Sequence, residues 1–179
     1  MNEPVIESHA AELRRAFDLS FASPPPGAAQ EVEDLLAIRV AGDCYAIRLR
    51  EIVGMIAGRR VIPVPSAALD LLGVAGIRGE VVPVFGLASI LGYGQGSGPP
   101  RWMVLCGTED PIALAFSDFD GYLRLPSSAL HVDENLRAAR EHANQVASAE
   151  VGARAVINIP LVVATIRNRS GHNRPAREQ

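Results

Sequence analysis

The 179-residue chain contains no lysine, so all 17 of its basic residues are arginines. Without lysine, the chain cannot perform Schiff-base chemistry and cannot build the phosphate-binding loop that ends in a lysine. Aromatic residues make up only 5% of the sequence, which leaves few rings on which nucleic-acid bases could stack. The net charge of −3 provides no general attraction to nucleic acids or acidic membranes.

Long apolar runs are also missing from the sequence. No run approaches the roughly 18 uninterrupted apolar residues of a membrane-spanning helix. The charged amino terminus, MNEPVIESHAAELRR, lacks the apolar core of a secretory signal. We therefore expect a soluble cytoplasmic protein. With 48% hydrophobic residues, the chain can build one core of ordinary size, or two small barrels that share an interface.

Residues that could carry catalysis or bind a metal are scattered. Cys44 and Cys106 lie in separate apolar runs, and none of the four histidines has a partner at ligand spacing. These patterns favour buried thiols and solvated or capping histidines, and they predict no catalytic, metal or cofactor site. Two enzymatic alternatives remain: a thiol enzyme using Cys44 or Cys106 with His131, and an acid–base pair of Asp118 and Asp120.

The two ends of the chain differ from its middle. Residues 1–22 have the spacing of an amphipathic helix, which needs a surface because it is marginally stable alone in water. A proline- and glycine-rich linker, residues 23–33, follows it. The arginine-rich residues 169–179 predict a disordered, solvated tail rather than an RNA-binding segment. The residues predicted to dock the helix are Ile6, Leu13, Phe17 and Phe21.

From residue 34 onward the pattern changes to short β-strands separated by turns. The stretch DLLAIRVAGDCYAIRL predicts a hairpin that turns at Gly42 and Asp43. Alternation places one apolar set on a common face of each strand. These residues are Leu36, Ile38 and Val40 in the first strand, and Tyr45, Ile47 and Leu49 in the second.

The second half of the chain resembles the first half. VPSAAL at residues 64–69 is echoed by LPSSAL at residues 125–130. VVPVFGLASIL, which ends at Leu91, is echoed by VINIPLVVATI, which ends at Ile166, and both predict a strand that passes into a helix. The glycine-rich residues 92–100 predict a flexible connection between the halves. A duplicated all-β unit of about 60 residues accounts for these echoes.

The stretch from Tyr45 to Gly92 resembles the CheW-like domain, the coupling protein of bacterial chemotaxis arrays. The family's pattern G-V-x-N-L-R-G-x-V-V-P-V-x-D-L appears here as GVAGIRGEVVPVFGL. The resemblance implies an all-β fold over residues 34–168, with two packed SH3-like five-stranded barrels and short helices. It also implies a non-catalytic adaptor that joins the cytoplasmic tip of a chemoreceptor to the regulatory domain of a CheA-like histidine kinase.

The resemblance further implies where partners bind. In the family, the arginine that matches Arg78 lies at a hairpin turn beside the groove between the barrels, and Gly79 permits that turn. A planar guanidinium there can hold a partner carboxylate or carbonyl in one geometry. A surface ion pair with Glu51 or Glu80 is the alternative. The predicted partner-binding residues are Ile52, Gly73, Val74, Arg78, Phe119 and Tyr122.

Glycine occupies several positions that are polar in the family pattern. Gly54 stands where the family often has a glutamate, so an ion pair between that position and Arg78 cannot form. Gly76 replaces an asparagine and Gly86 replaces an aspartate. Such losses can exclude a standard partner. They support a second hypothesis, in which an adaptor outside standard chemotaxis acts on another signalling protein through its amino-terminal helix.

Overall fold

The computed structural model describes residues 31–94, 100–133, 142–149 and 152–171. The predicted amino-terminal helix, with Ile6, Leu13, Phe17 and Phe21, lies outside these residues, as does most of the predicted tail. No helix in the described ranges is long and apolar enough to cross a membrane. The structure is mostly β, as the sequence predicts, with two sheets and few helices.

The strands and helices follow one another in this order. The first half contains β1 (Val32–Val40), β2 (Asp43–Arg48), β3 (Gly54–Ala57), β4 (Leu71–Ile77), β5 (Glu80–Gly86) and helix α1 (Leu87–Ile90). The second half contains β6 (Trp102–Cys106), β7 (Ile112–Phe116), β8 (Asp118–Pro126), β9 (Leu130–Val132), β10 (Ala143–Ala149), β11 (Gly152–Ile157) and helix α2 (Ile159–Gly171). Short 3-10 turns lie at Leu49–Glu51 and Ser127–Ala129.

Each sheet combines strands from both halves of the sequence. Sheet A has the order β8-β1-β2-β11-β10-β9, and sheet B has the order β3-β6-β7-β5-β4. The hairpin β1–β2 lies between β8 and β11, and the hairpin β6–β7 lies between β3 and β5. In sheet A, β11, which leads into α2, pairs in parallel with β2. In sheet B, β5, which leads into α1, pairs in parallel with β7. The two halves therefore exchange their first hairpins.

Central strands are buried on both faces, because each sheet has its own apolar cluster and a larger cluster is shared between the sheets. Strand β7 shows this arrangement: Ala113 and Ala115 belong to the cluster of sheet B. Its larger residues Ile112, Leu114 and Phe116 belong to the shared cluster. Consequently β7 reads as a continuous apolar run rather than as an alternating strand.

The predicted faces of the first hairpin are confirmed. Leu36, Ile38, Val40, Tyr45 and Ile47 all lie in the shared cluster, and Leu49 packs against it. The turn, however, lies one residue earlier than predicted, because Val40 pairs with Asp43. Ala41 and Gly42 form the turn with φ angles of 52° and 92°. The free energy gained when Val40 pairs in register with β2 outweighs the strain that a positive φ imposes on Ala41.

Candidate functional site

The β4–β5 hairpin carries the arginine that the sequence singles out. Ile77 pairs with Glu80, so Arg78 and Gly79 form a two-residue turn. Their φ angles of 52° and 87° lie in the left-handed region that a type I′ turn requires. Gly79 adopts this conformation freely, whereas it costs Arg78 roughly 1 kcal/mol. The short turn therefore fixes the backbone of Arg78 at the tip of the hairpin.

The exposed side chain of Arg78 lies beside strand β3. A Cβ atom built on Gly54 would lie 3.4 Å from Nη2 of Arg78. The position that often holds a glutamate in the family is therefore adjacent to the arginine here. Because position 54 is a glycine, this neighbour supplies no carboxylate to Arg78.

Neither of the two glutamates considered as partners of Arg78 engages it. Glu51 lies 3.3 Å from Nη1 of Arg48 and accepts a hydrogen bond of 3.0 Å from the backbone amide of Ile159. Glu51 thus ties the 3-10 turn to the beginning of α2. Within the described ranges, no ion pair or hydrogen bond joins Glu80 to Arg78. The described residues therefore leave the donors of this guanidinium unused.

The outward face of the same hairpin is apolar. Val74 of β4 lies opposite Pro83 of β5, and an isolated bridge places Ile62 on the other side of Val74. Val81 lies opposite Gly76. The side chain of Val81 is 75% exposed and that of Ile62 is 57% exposed. Together with the tip, these residues form a surface that we call the hairpin face: Ile62, Val74, Gly76, Val81, Pro83 and Arg78.

Sequence reasoning missed Ile62, Val81 and Pro83, although β5 carried a usable signal. Val82 and Val84 belong to the cluster of sheet B. Alternation along a strand therefore turns Val81 and Pro83 to the opposite, outward face. No comparable signal exists for Ile62, because its bridge to Val74 depends on a contact between distant parts of the chain.

Gly73 shapes this surface without offering a side chain to it. It is buried and has a φ of 145°, a region that other residues rarely adopt. A Cβ on Gly73 would clash with the carbonyl oxygen of Ile62 and lie 2.9 Å from Cα of Pro63. The absence of a side chain at Gly73 therefore allows the segment of Ile62 and Pro63 to lie close beside β4 and pair with Val74.

The other predicted partner-binding residues belong to different parts of the fold. Ile52 precedes β3 and packs partly against the shared cluster. Phe119 lies on β8, the edge strand of sheet A, with its ring centroid 5.4 Å from that of Trp102. Tyr122, also on β8, is exposed and donates a hydrogen bond to Asp34 that raises the pKa of its phenol. The six residues are thus divided between the two sheets.

Asp118 and Asp120 do not form an acid–base pair. Nη2 of Arg154 donates to Asp120 at 2.8 Å, and Nε of Arg39 donates to the other carboxylate oxygen at 3.0 Å. Burial acts to raise the pKa of Asp120, but the hydrogen bonds and charges of Arg154 and Arg39 outweigh it and lower that pKa. Asp120 is therefore ionised at neutral pH and links β1, β8 and β11, whereas Asp118 is exposed at the start of β8.

The thiol-enzyme alternative finds no suitable nucleophile in Cys106. Burial, with a contribution from the charge of Glu51, raises the pKa of the Cys106 thiol to about 12. A thiol with that pKa is protonated at neutral pH and is a poor nucleophile. Cys106 lies on β6 in sheet B, whereas Cys44 and His131 lie on β2 and β9 in sheet A. The described part of the chain holds no cluster of side chains that could bind a metal ion.

The chain matches one family model and several solved structures of known proteins. Residues 34–157 match the family model described as the CheW-like domain. Among solved structures, the fold is similar to that of the scaffolding protein TtCheW from Thermoanaerobacter tengcongensis, with a TM-score of 0.63 and 11% sequence identity. The similarity covers 72% of this chain and 90% of that chain. No curated protein sequence matches the chain.

Proposed function

The chain belongs to the CheW-like domain family, and from this membership we propose that it couples chemoreceptors to a CheA-like histidine kinase in the cytoplasm. Chemotaxis-type coupling by a non-catalytic scaffold is the general role of the family. The proposed partners are the regulatory domain of the kinase and the cytoplasmic tip of the receptor. The protein would act by binding both, without chemistry of its own.

We propose that each sheet curls into an SH3-like barrel, with sheet B left open along β3, which would place two rigid bodies side by side as a scaffold. In sheet A, the 3-10 turn Ser127–Ala129 connects β8 and β9, which are the two edge strands. In sheet B, the chain that leaves the edge strand β3 reaches the opposite edge, where Ile62 bridges to β4. The apolar cluster of each sheet includes residues on or beside both of its edge strands, which supports this curvature.

The observation that carries the proposal is the hairpin face. Its apolar residues can be buried by a partner at about 25 cal/mol per Å². Arg78 at its tip can fix the partner's position through a charge-assisted hydrogen bond. Because a short turn already holds Arg78 in place, less freedom is lost on binding than for an arginine on a long loop. We propose that Phe119 and Tyr122 contribute to a second partner surface on β8 of sheet A, and that Ile52, which precedes β3, also contacts a partner.

The experiment that tests this proposal is a pull-down from the native cytoplasm, read by mass spectrometry, with wild type and Arg78→Asp in parallel. We expect wild type to capture a CheA-like kinase or chemoreceptors. We expect Arg78→Asp to lose this capture, because the substitution places a negative charge where a carboxylate or carbonyl would bind. The fold should be unchanged, since Arg78 is exposed and has no ion pair with the described part of the chain.

The matched control is Arg167→Asp, which removes the same charge from α2. The partner of Arg167 is Asp110, whose side chain is itself exposed, so this ion pair contributes little to stability. The control should capture the same proteins as wild type. Retained capture by Arg78→Asp, or the absence of kinase and receptors from the wild-type sample, would overturn the proposal.

A further inference from the structure

A second basic surface lies at the other end of β3. Arg59 and Arg60 follow β3, and Arg101 lies directly before β6. The backbone amide of Gly58 donates to the carbonyl oxygen of Arg101 at 3.0 Å, which brings the two segments together. The three arginines line a cavity of about 420 Å³, and Trp102 forms an apolar part of its wall.

The charges of this cavity are not balanced by the described chain. All three arginines are exposed, and none of their guanidinium groups has an ion pair or hydrogen bond with a described residue. Apart from Arg78, every other described arginine lies within 4 Å of a carboxylate oxygen. In a chain with a net charge of −3, three arginines without partners around one cavity favour an acidic ligand.

The cavity adjoins an open strand edge. Strand β3 is the edge strand of sheet B, and in the described structure it is hydrogen-bonded only to β6. The bond from Gly58 to Arg101 continues this antiparallel ladder. Because such a ladder alternates, Met55 and Ala57 direct their backbone N–H and C=O groups away from β6. A peptide backbone can satisfy these groups by pairing as an additional strand.

We propose that the edge of β3 and the arginine-lined cavity bind an extended acidic segment of a partner protein. The segment's backbone pairs with β3, its carboxylates bind Arg59, Arg60 and Arg101, and an apolar side chain packs against Trp102. The unpaired backbone groups of β3 favour a peptide over a phosphate group or a lipid headgroup, because only a peptide has a backbone that can pair with the strand. Gly54, which lies next to Arg78, is about 10 Å along β3 from this site. The site therefore does not depend on the function proposed for the hairpin face.

The test measures binding of a fluorescein-labelled peptide of alternating glutamate and valine to the full chain by fluorescence anisotropy. Wild type should bind, and the affinity should fall as sodium chloride is added. The double variant Arg59→Glu/Arg60→Glu should bind at least tenfold more weakly, whereas Arg167→Glu should bind as wild type does. Arg78→Asp should also retain the peptide, which separates this site from the hairpin face.

A backbone variant tests pairing with β3 separately from charge. Ala57→Pro removes an amide that faces away from β6, at an edge where proline is tolerated. It should weaken binding of the peptide while leaving the unfolding midpoint unchanged. The proposal is overturned if wild type does not bind the peptide, or if the double variant binds it equally well. It is also overturned if Arg78→Asp abolishes binding, or if tripolyphosphate displaces the peptide while Ala57→Pro has no effect.

Discussion

Gly73→Ala is expected to lower the free energy of unfolding by about 3 kcal/mol or more, a large share of the 5–15 kcal/mol typical of a domain. An alanine Cβ would clash with the carbonyl oxygen of Ile62 and lie 2.7 Å from its carbonyl carbon. Both atoms belong to the backbone, so no side-chain rotation can relieve the clash. The φ of 145° adds strain for any residue with a side chain. Urea unfolding, followed by the fluorescence of the single tryptophan, measures the effect.

Gly76→Ala is the matched control for this substitution. Gly76 lies on the same strand, has no positive φ, and a Cβ built on it meets no atom within 4 Å. We expect Gly76→Ala to change the free energy of unfolding by no more than about 0.5 kcal/mol, as substitutions at other exposed positions do. If Gly73→Ala unfolded at the same urea concentration as Gly76→Ala, the close pairing of Ile62 beside β4 would not need glycine, and our account of the hairpin face would be wrong.

Asp120→Ala is expected to lower the free energy of unfolding at pH 7 by about 1–3 kcal/mol. The substitution leaves Arg154, which is 6% exposed, without its carboxylate partner, and a buried group without its partner costs that amount. The value lies below that for a fully buried ion pair, because the side chain of Asp120 is itself 23% exposed. Urea unfolding of the variant and of wild type gives the difference.

The effect of Asp120→Ala should depend on pH. The pKa of Asp120 is lower in the folded chain than in the unfolded chain, where a value of about 3.9 is usual. Its stabilising contribution is therefore fully present above about pH 4 and is lost as the pH falls through the folded-state pKa. The difference between wild type and variant should shrink in strong acid. A difference that is the same at all pH values, or an equal loss in the exposed control Asp118→Ala, would contradict this account.

Local patterns predicted the first hairpin well because its two strands pair with each other. Alternation identified the apolar faces, since Leu36 and Ile47 lie in register and both belong to the shared cluster. The exchange of hairpins between the sheets could not be predicted in this way. It depends on pairing between residues such as Leu36 and Tyr122, which lie far apart in the sequence. Alternation within a strand carries no information about which distant strand becomes its neighbour.

The candidate site was predicted only in part. The resemblance to the CheW-like family located the tip of the hairpin at Arg78 and Gly79, which form the turn between β4 and β5. The role of Asp120 depends on a bulge in the β1–β8 pairing and on Arg154 from β11, so nothing near it in the sequence predicted its ionised state. Likewise, Arg59 and Arg101 meet only because β3 pairs with β6.

We propose that the partner bound by the hairpin face is the kinase, and this is the central claim to be tested. Isothermal titration of the purified chain with the isolated regulatory domain of the CheA-like kinase from the same organism tests this claim. We predict a saturable one-to-one complex with wild type and with Arg167→Asp, and no measurable complex with Arg78→Asp. Equal binding by all three proteins would contradict the role of Arg78, and the absence of binding by wild type would contradict the coupling function itself.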